Sequence, residues 1–299
     1  MANLKSWIVA ARLRTLPLAF SSILVGTALV YNRGGINLAI FGLTLLTAIF
    51  LQILSNLAND YGDAVSGVDS ADRDGPKRMV QSGAITKEAM KRGLIISSIL
   101  TFVSGLGLLY LSFPENWKYA LIFLVIGLVA IAAAIKYTMG KNPYGYAGFG
   151  DLFVFLFFGI VAVVGTYFLQ TESINWLIFL PASALGLFAV GVLNVNNIRD
   201  IESDELSGKH SIPVRIGKEK AITYHSWLLN GAMVLTSAYV LLTYDSWWDL
   251  LFILVNPLLF KNINAVKTKP ATELDPYLKQ MALSTLLFAV LFAIGQFMS

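Results

Sequence analysis

What most constrains this chain is a series of apolar runs, each near 20 residues long and almost free of charge. In lipid every backbone N–H and C=O must be satisfied inside the segment, so a run of that length folds as a spanning helix. Nine such runs can be drawn, over about 16–31, 37–57, 93–111, 118–136, 152–170, 175–195, 223–243, 247–264 and 279–298. Pro17 opens the first, where a missing N–H is tolerated, and Asn256-Pro257 interrupts the eighth. Residues 3–13 read as a short amphipathic segment lying in the interface, anchored by Trp7. Charged residues make up only 13% of the chain, against about 25% in soluble domains. The expected fold is all-α: a polytopic membrane protein with nine transmembrane helices around a central cavity, in one domain over 1–299.

Charge placement tests the count. With nine spans the connections alternate between two sides, and 20 of the 22 basic residues fall on one side; only Arg33 and Lys118 fall on the other. The positive-inside rule then puts the N-terminus in the cytoplasm and the C-terminus outside. Arg12 and Arg14 precede an apolar stretch with no small-residue cleavage box, so no cleavable signal is expected. With no cysteine there is neither a disulfide framework nor a thiolate nucleophile, and His210 and His225 lie too far apart for a local metal motif.

Two cytoplasmic connections, about 58–92 and 196–222, hold the dense acidic clusters. The first runs Asn56-Leu-Ala-Asn59-Asp60-Tyr-Gly-Asp63-Ala-Val-Ser-Gly67-Val-Asp69. Read as helix, Asn56 and Asp60 are four apart, as are Asn59 and Asp63, so these side chains share a face. The second contains Asn196, Asp200 and Asp204, spaced four and four. Asn56-x-x-x-Asp60 and Asn196-x-x-x-Asp200 have the same form, 140 residues apart, and each closes an apolar run. That separation suggests two four-helix pseudo-repeats followed by a ninth helix.

Carboxylates so close repel one another unless a cation sits between them, and oxygen ligands suit a hard cation such as Mg²⁺. Mg²⁺ favours one or two carboxylates completed by phosphate oxygens, which points to a phosphate-bearing substrate. Arg78, Lys141 and Lys209 are the basic residues expected to finish the clamp; glycines flank Arg78 and Lys141. Asp69-x-x-Asp72-x-Asp74-Gly75 does not match an EF-hand loop, and no P-loop, Gly-x-Gly-x-x-Gly or Gly-x-Ser-x-Gly motif is present.

These residues resemble the UbiA-type intramembrane prenyltransferases, a nine-helix family with Asp-rich motifs after helices two and six. Asn59-Asp60-x-x-Asp63 matches the first motif, Asp200-x-x-x-Asp204 the second, and Tyr137-x-x-x-Lys141 a Tyr…Lys segment after helix four. The third acid of the first motif departs from the 4-hydroxybenzoate branch, falling at Asp69 instead of Gly67. With Gly75-Pro-x-Arg78-x-x-Gln81-x-Gly83 and Tyr144-Gly-Tyr146-Ala-Gly-Phe-Gly150-Asp151, that spacing is similar to the menaquinone branch.

The resemblance implies transfer of a polyprenyl chain from a polyprenyl diphosphate to 1,4-dihydroxy-2-naphthoate, with loss of diphosphate and CO₂. It implies Mg²⁺ as cofactor, the lipid bilayer and these two substrates as partners, no nucleic acid, and a place in the bacterial cytoplasmic membrane. Asp60, Asp63, Asp69, Asp200 and Asp204 are the implied catalytic residues. Asn56, Asn59, Asp60, Asp63, Asp200 and Asp204 are the implied metal residues. Arg78, Lys141, Lys209 and Asn196 would bind diphosphate, and Tyr137, Tyr144, Tyr146 and Asp151 the acceptor. Phe149, Phe153, Phe155, Phe157 and Phe158 are candidate walls for an allylic cation. Another aromatic acceptor, such as 4-hydroxybenzoate or homogentisate, is the alternative within the family. A secondary transporter fits less well, because the acids stand at helix ends and not at mid-membrane.

Overall fold

The computed structural model describes residues 3–31, 34–66 and 78–299. Among these, nine helical stretches are long and apolar enough to cross a bilayer. A short helix, α1 (Leu4–Ala10), leads in through a break at Arg12, whose backbone is left-handed, to α2 (Leu16–Ala28). Next come α3 (Leu38–Ser66), α4 (Lys87–Ser112) and α5 (Trp117–Lys136). The fifth span is α6 (Gly150–Val154) running through a π-helical stretch, Phe155–Val164, into α7 (Gly165–Thr171). Then follow α8 (Phe179–Arg199), short helices α9 (Ile201–Leu206) and α10 (Ile212–Ile216), and α11 (Lys218–Thr243). A 3-10 stretch, Trp247–Val255, hands over to α12 (Asn256–Thr268), and α13 (Asp275–Met298) closes the bundle. Pro257 lies in the first turn of α12, where its missing N–H leaves no gap, so the eighth span changes helix type there without breaking.

Length explains where the acidic residues end up. At about 1.5 Å per residue the 29 residues of α3 reach about 44 Å, against an apolar layer of about 30 Å. The last turns of α3 therefore project past the apolar layer, and Asn56–Asp63 stand on rigid helix where an acidic loop from about 58 was expected. Trp117, Trp176 and Trp247 begin helical stretches at the opposite end and are exposed, as an interfacial aromatic belt requires.

α3 packs on α4, α8 on α11 and on the π-helical stretch, and α13 on α2, α8 and the 3-10 stretch before α12. Several buried polar groups tie the helices of this bundle together. His225 shares a 2.9 Å hydrogen bond with Asn262, which in turn donates to Tyr277 O at 2.9 Å. Asn194 Nδ2 donates to Ala221 O at 3.1 Å and pins α8 to α11. α5 packs on α3 and α4 but scarcely touches the span that follows it in sequence, Gly150–Thr171, so a slot separates the two.

Candidate active site

A cavity of about 790 Å³ opens between the helices at the acid-bearing end, and the polar turns of α3 and α8 face into it. On α3 the facing residues are Gln52, Asn56, Asn59 and Asp63. Asn56 is tied to the N-terminal segment, its Nδ2 donating to Ala11 O at 2.9 Å and to Thr15 Oγ1 at 3.1 Å.

Asp60, expected to ligate metal, is not among the cavity residues. At about 100° per residue it lies about 60° round the helix from Asp63 and about 100° from Asn59, on the flank. There its Oδ2 accepts the N–H of Met79 and its Oδ1 that of Val80, both at 3.0 Å. Asp60 thus fastens the segment that carries Arg78. The other expected residue of this motif, Asp69, lies outside the described residues.

Arg78 is buried, donates from Nη1 to Asn59 O at 2.6 Å and forms an ion pair with Asp63. Burial, with neighbouring Arg12 second, pulls its pKa down to about 9, while Asp60 pulls the other way. It remains a cation at neutral pH. Asp63 also accepts the hydroxyl of Tyr146.

From the second motif, Asn196, Asp200 and Asp204 all line the cavity. Asp200 caps the junction between α8 and α9, and Asp204 N–H donates to its carbonyl at 2.8 Å. Lys209 Nζ stands 3.4 Å from Asp204 Oδ1 and 3.9 Å from Asp63 Oδ1, and 5.0 Å over the Tyr146 ring. One ammonium therefore spans the two motifs.

The segment after α5 roofs the site. Thr138 Oγ1 donates to Ala58 O at 2.9 Å across Gly62, where a Cβ would lie 2.5 Å from that hydroxyl. Only glycine allows the two chains so near. Further on, His210 N–H donates to Tyr146 O at 2.8 Å, and Arg215 donates from Nη2 to Ala147 O at 2.5 Å and from Nε to His210 O at 2.9 Å. Gly148 makes this clasp possible: its φ is +82° and a Cβ there would meet His210 O at 2.4 Å.

Tyr137, Tyr144, Tyr146 and Asp151 line the cavity together. Tyr144 donates to Ala133 O at 2.9 Å and stacks on Phe153 with ring centres 4.1 Å apart. Burial raises the pKa of the Tyr137 and Tyr144 hydroxyls, keeping them neutral donors. Asp151 Oδ2 accepts from Tyr224 at 2.9 Å.

Lys141 is exposed and outside the cavity, because the chain turns at Gly140, φ +106°, and carries the next side chain outward. Of the candidate phenylalanines, Phe153, Phe157 and Phe158 line the cavity; Phe149 and Phe155 do not. From its polar end the cavity continues along the slot between α5 and Gly150–Thr171, lined by Ala130 and Ala134 on one side and Phe157 and Val161 on the other. Phe123 stacked on Phe168 at 5.5 Å, with Tyr119 edge-on at 5.1 Å, closes its far end.

Among the described residues no three His, Cys, Asp or Glu side chains form a ready-made metal cage. The donors that face the cavity are nonetheless all oxygen: the carboxylates of Asp63, Asp200 and Asp204 and the Asn59 amide. That set fits an ion such as Mg²⁺, which binds few carboxylates and completes its shell with water and phosphate. Residues that sequence reasoning missed are Arg12, Arg14, Gln52, Thr138 and Arg199. The arginines read as topology charges, and only tertiary contact places them at the site.

Known proteins match this arrangement over nearly the whole chain. The profile of the UbiA prenyltransferase family matches residues 19–286. The 1,4-dihydroxy-2-naphthoate octaprenyltransferase of Haemophilus influenzae is 46% identical over 296 residues, spanning 98% of this chain and 96% of that protein. The enzyme of the same name from Escherichia coli is 43% identical over 300 residues, 100% of this chain and 97% of that protein. Among solved structures, a UbiA homolog from Aeropyrum pernix superposes with a TM-score of 0.68 at 18% identity, covering 99% of this chain and 98% of that one. A UbiA homolog from Archaeoglobus fulgidus bound to GPP and Mg²⁺ gives a TM-score of 0.59 at 17% identity, covering 98% and 100%.

Proposed function

The chain belongs to the UbiA prenyltransferase family, and from that premise we propose that it transfers a polyprenyl group from an all-trans polyprenyl diphosphate to 1,4-dihydroxy-2-naphthoate. Diphosphate and CO₂ leave, and demethylmenaquinol forms. The observation that carries the proposal is the meeting of two acid motifs at the mouth of a cavity whose other end is an apolar, aromatic slot.

Asp63, Asp200 and Asp204, with Asn59, are the residues that would hold Mg²⁺. When bound, Mg²⁺ supplies Lewis-acid neutralisation of the leaving diphosphate. Arg78 and Lys209, now on Asp63 and Asp204, line the same mouth and would hold phosphate oxygens by charge-assisted hydrogen bonds. Asp60 acts through Arg78, by fixing Met79 and Val80. Phe153 and Phe157 line the cavity, and such aromatic side chains would favour the allylic cation while the apolar wall keeps water away. Tyr144, stacked on Phe153, and Tyr137 bound the place where a flat naphthoate ring would lie. Asp151, with Oδ2 held by Tyr224, would take the hydroxyl proton of the ring on Oδ1. The acid-bearing end faces the cytoplasm, which the concentration of basic residues on that side supports.

The test uses purified protein in detergent with Mg²⁺ and a polyprenyl diphosphate, offered dihydroxynaphthoate, 4-hydroxybenzoate or homogentisate in turn. Prenylated naphthoquinol should form, and Asp63→Ala or Asp204→Ala should abolish it while the protein stays folded. Preference for another acceptor would overturn the substrate assignment, and full activity in either variant would overturn the site. A reporter fused to the C-terminus should be active only outside the cytoplasm.

A further inference from the structure

Among the described residues, the roles assigned so far leave one buried cation unused. Arg199 ends α8 between Asn196 and Asp200, its side chain 1% exposed, yet it does not line the cavity. Its Nε donates to Asp200 Oδ1 at 2.8 Å and its Nη2 to Asp200 Oδ2 at 3.0 Å. Nη2 also donates to Asn196 Oδ1 at 2.8 Å, and Nη1 to Asp275 Oδ1 at 2.7 Å. Asp275 opens α13 and accepts Arg14 Nη1 on the same carboxylate at 3.0 and 3.1 Å.

We propose that Arg199, anchored by Asp275, is a positioning residue that aims the second acid motif, fixing the Asp200 carboxylate and turning the Asn196 amide so that its N–H₂ faces the diphosphate. This rests on the prenyltransferase reading above and goes further, because it gives Asn196 and Asp200 different tasks. A guanidinium has donors only, so the Asn196 atom that faces Arg199 is its carbonyl oxygen. That oxygen spends one lone pair on Arg199, and the N–H₂ on the other side of the amide is a pair of donors, which suits phosphate oxygens. The two-pronged grip on Asp200 fixes the plane of its carboxylate as a single contact would not.

Arg199 differs in kind from Arg78 and Lys209. Those two line the cavity and can pass from carboxylate to phosphate. Arg199 is held on three sides by Asp200, Asn196 and Asp275, and stands behind the cavity wall, so it keeps its partners whether or not substrate is present. Asp275 is the anchor that joins this grip to α13 and, through Arg14, to the N-terminal segment.

The test is equilibrium binding of Mg²⁺ and inorganic diphosphate to the full-length chain in detergent, alongside thermal midpoints and the Mg²⁺ dependence of prenyl transfer. Arg199→Lys keeps the charge but loses the fork. Asp275→Asn, at a half-exposed position, leaves Arg199 in place and takes away the charge of its anchor and one of the two oxygens shared with Arg14. Both are expected to weaken Mg²⁺–diphosphate binding by about 10–100-fold, as loss of a metal-site supporting contact does, and to raise the Mg²⁺ needed for half-maximal rate. Asn196→Asp should weaken diphosphate binding too, since a carboxylate replaces two donors. Binding as tight as wild type in Arg199→Lys and Asp275→Asn would overturn the proposal. So would tighter metal binding in Asn196→Asp, the mark of an oxygen ligand at that position. If the wild type itself fails to bind Mg²⁺–diphosphate, the prenyltransferase reading falls with it; normal wild-type binding with unaffected variants sinks the proposal alone.

Discussion

Replacing Asp60 removes the acceptor for two N–H groups, those of Met79 and Val80, each donating at 3.0 Å. Hydrogen bonds to a charged acceptor contribute about 1.5–3 kcal/mol each, so Asp60→Ala withdraws about 3–6 kcal/mol from the segment that holds Arg78. Asp60→Asn keeps the shape and one acceptor oxygen and turns an N–H₂ toward the other donor, for a loss of about half as much. Arg78 is the neighbour of Met79, and its contacts to Asn59 O and Asp63 depend on that segment staying in place. In steady-state assays Asp60→Asn should raise the KM for polyprenyl diphosphate about tenfold, equivalent to about 1.4 kcal/mol, and lower the thermal midpoint. The Mg²⁺ concentration for half-maximal rate should not move. In a double-mutant cycle, Arg78→Gln should add little on top of Asp60→Asn, because both act on one contact. The reasoning is refuted if Asp60→Asn shifts the Mg²⁺ requirement while KM and midpoint stay at wild-type values; Asp60 would then touch the metal.

Other outcomes follow from the same geometry. Tyr146→Phe deletes the hydroxyl that Asp63 and Ser66 share, and should cut prenyl transfer about tenfold with little change in midpoint, on the scale of one charge-assisted hydrogen bond. Gly148→Ala puts a side chain at φ +82° and into His210 O, a strain of about 1–2 kcal/mol before any displacement, and should lower activity more than thermal stability because it opens the clasp over the mouth. Arg78 keeps its charge across the working range even though burial pulls its pKa down, so affinity for the prenyl diphosphate should stay level from neutral to mildly alkaline pH; a loss of affinity there that persists in Arg78→Gln would show that another group titrates.

The spans were legible because lipid admits few structures: length and apolarity alone locate nine helices. The acid motifs were legible because four-residue spacing is a helical property, and Asn59, Asp63, Asn196, Asp200 and Asp204 do face one cavity. Spacing says which side chains are neighbours, but not which flank of the helix meets a loop, so the contact of the Asp60 carboxylate with Met79 and Val80 N–H could not be read from it. Glycines beside Lys141 suggested backbone approach, but Gly140 turns the chain outward and the segment offers Thr138 and Tyr146 instead. Arg14 and Arg199 were out of reach for another reason. Their shared partner, Asp275, is 261 and 76 residues away, and no local pattern encodes a contact of that range.

The slot between α5 and Gly150–Thr171 gives the cavity two exits of opposite solvency. The mouth carries Arg78, Lys209 and the carboxylates and suits water; the slot is lined by Ala130, Phe157 and Val161 and suits hydrocarbon. The two larger products of the proposed reaction differ in the same sense. Diphosphate dissolves through the mouth into an aqueous compartment where it is dilute, and the prenylated ring slides sideways into a leaflet where it is soluble. Once parted they seldom meet again at one site, so partition between the two phases disfavours the reverse reaction.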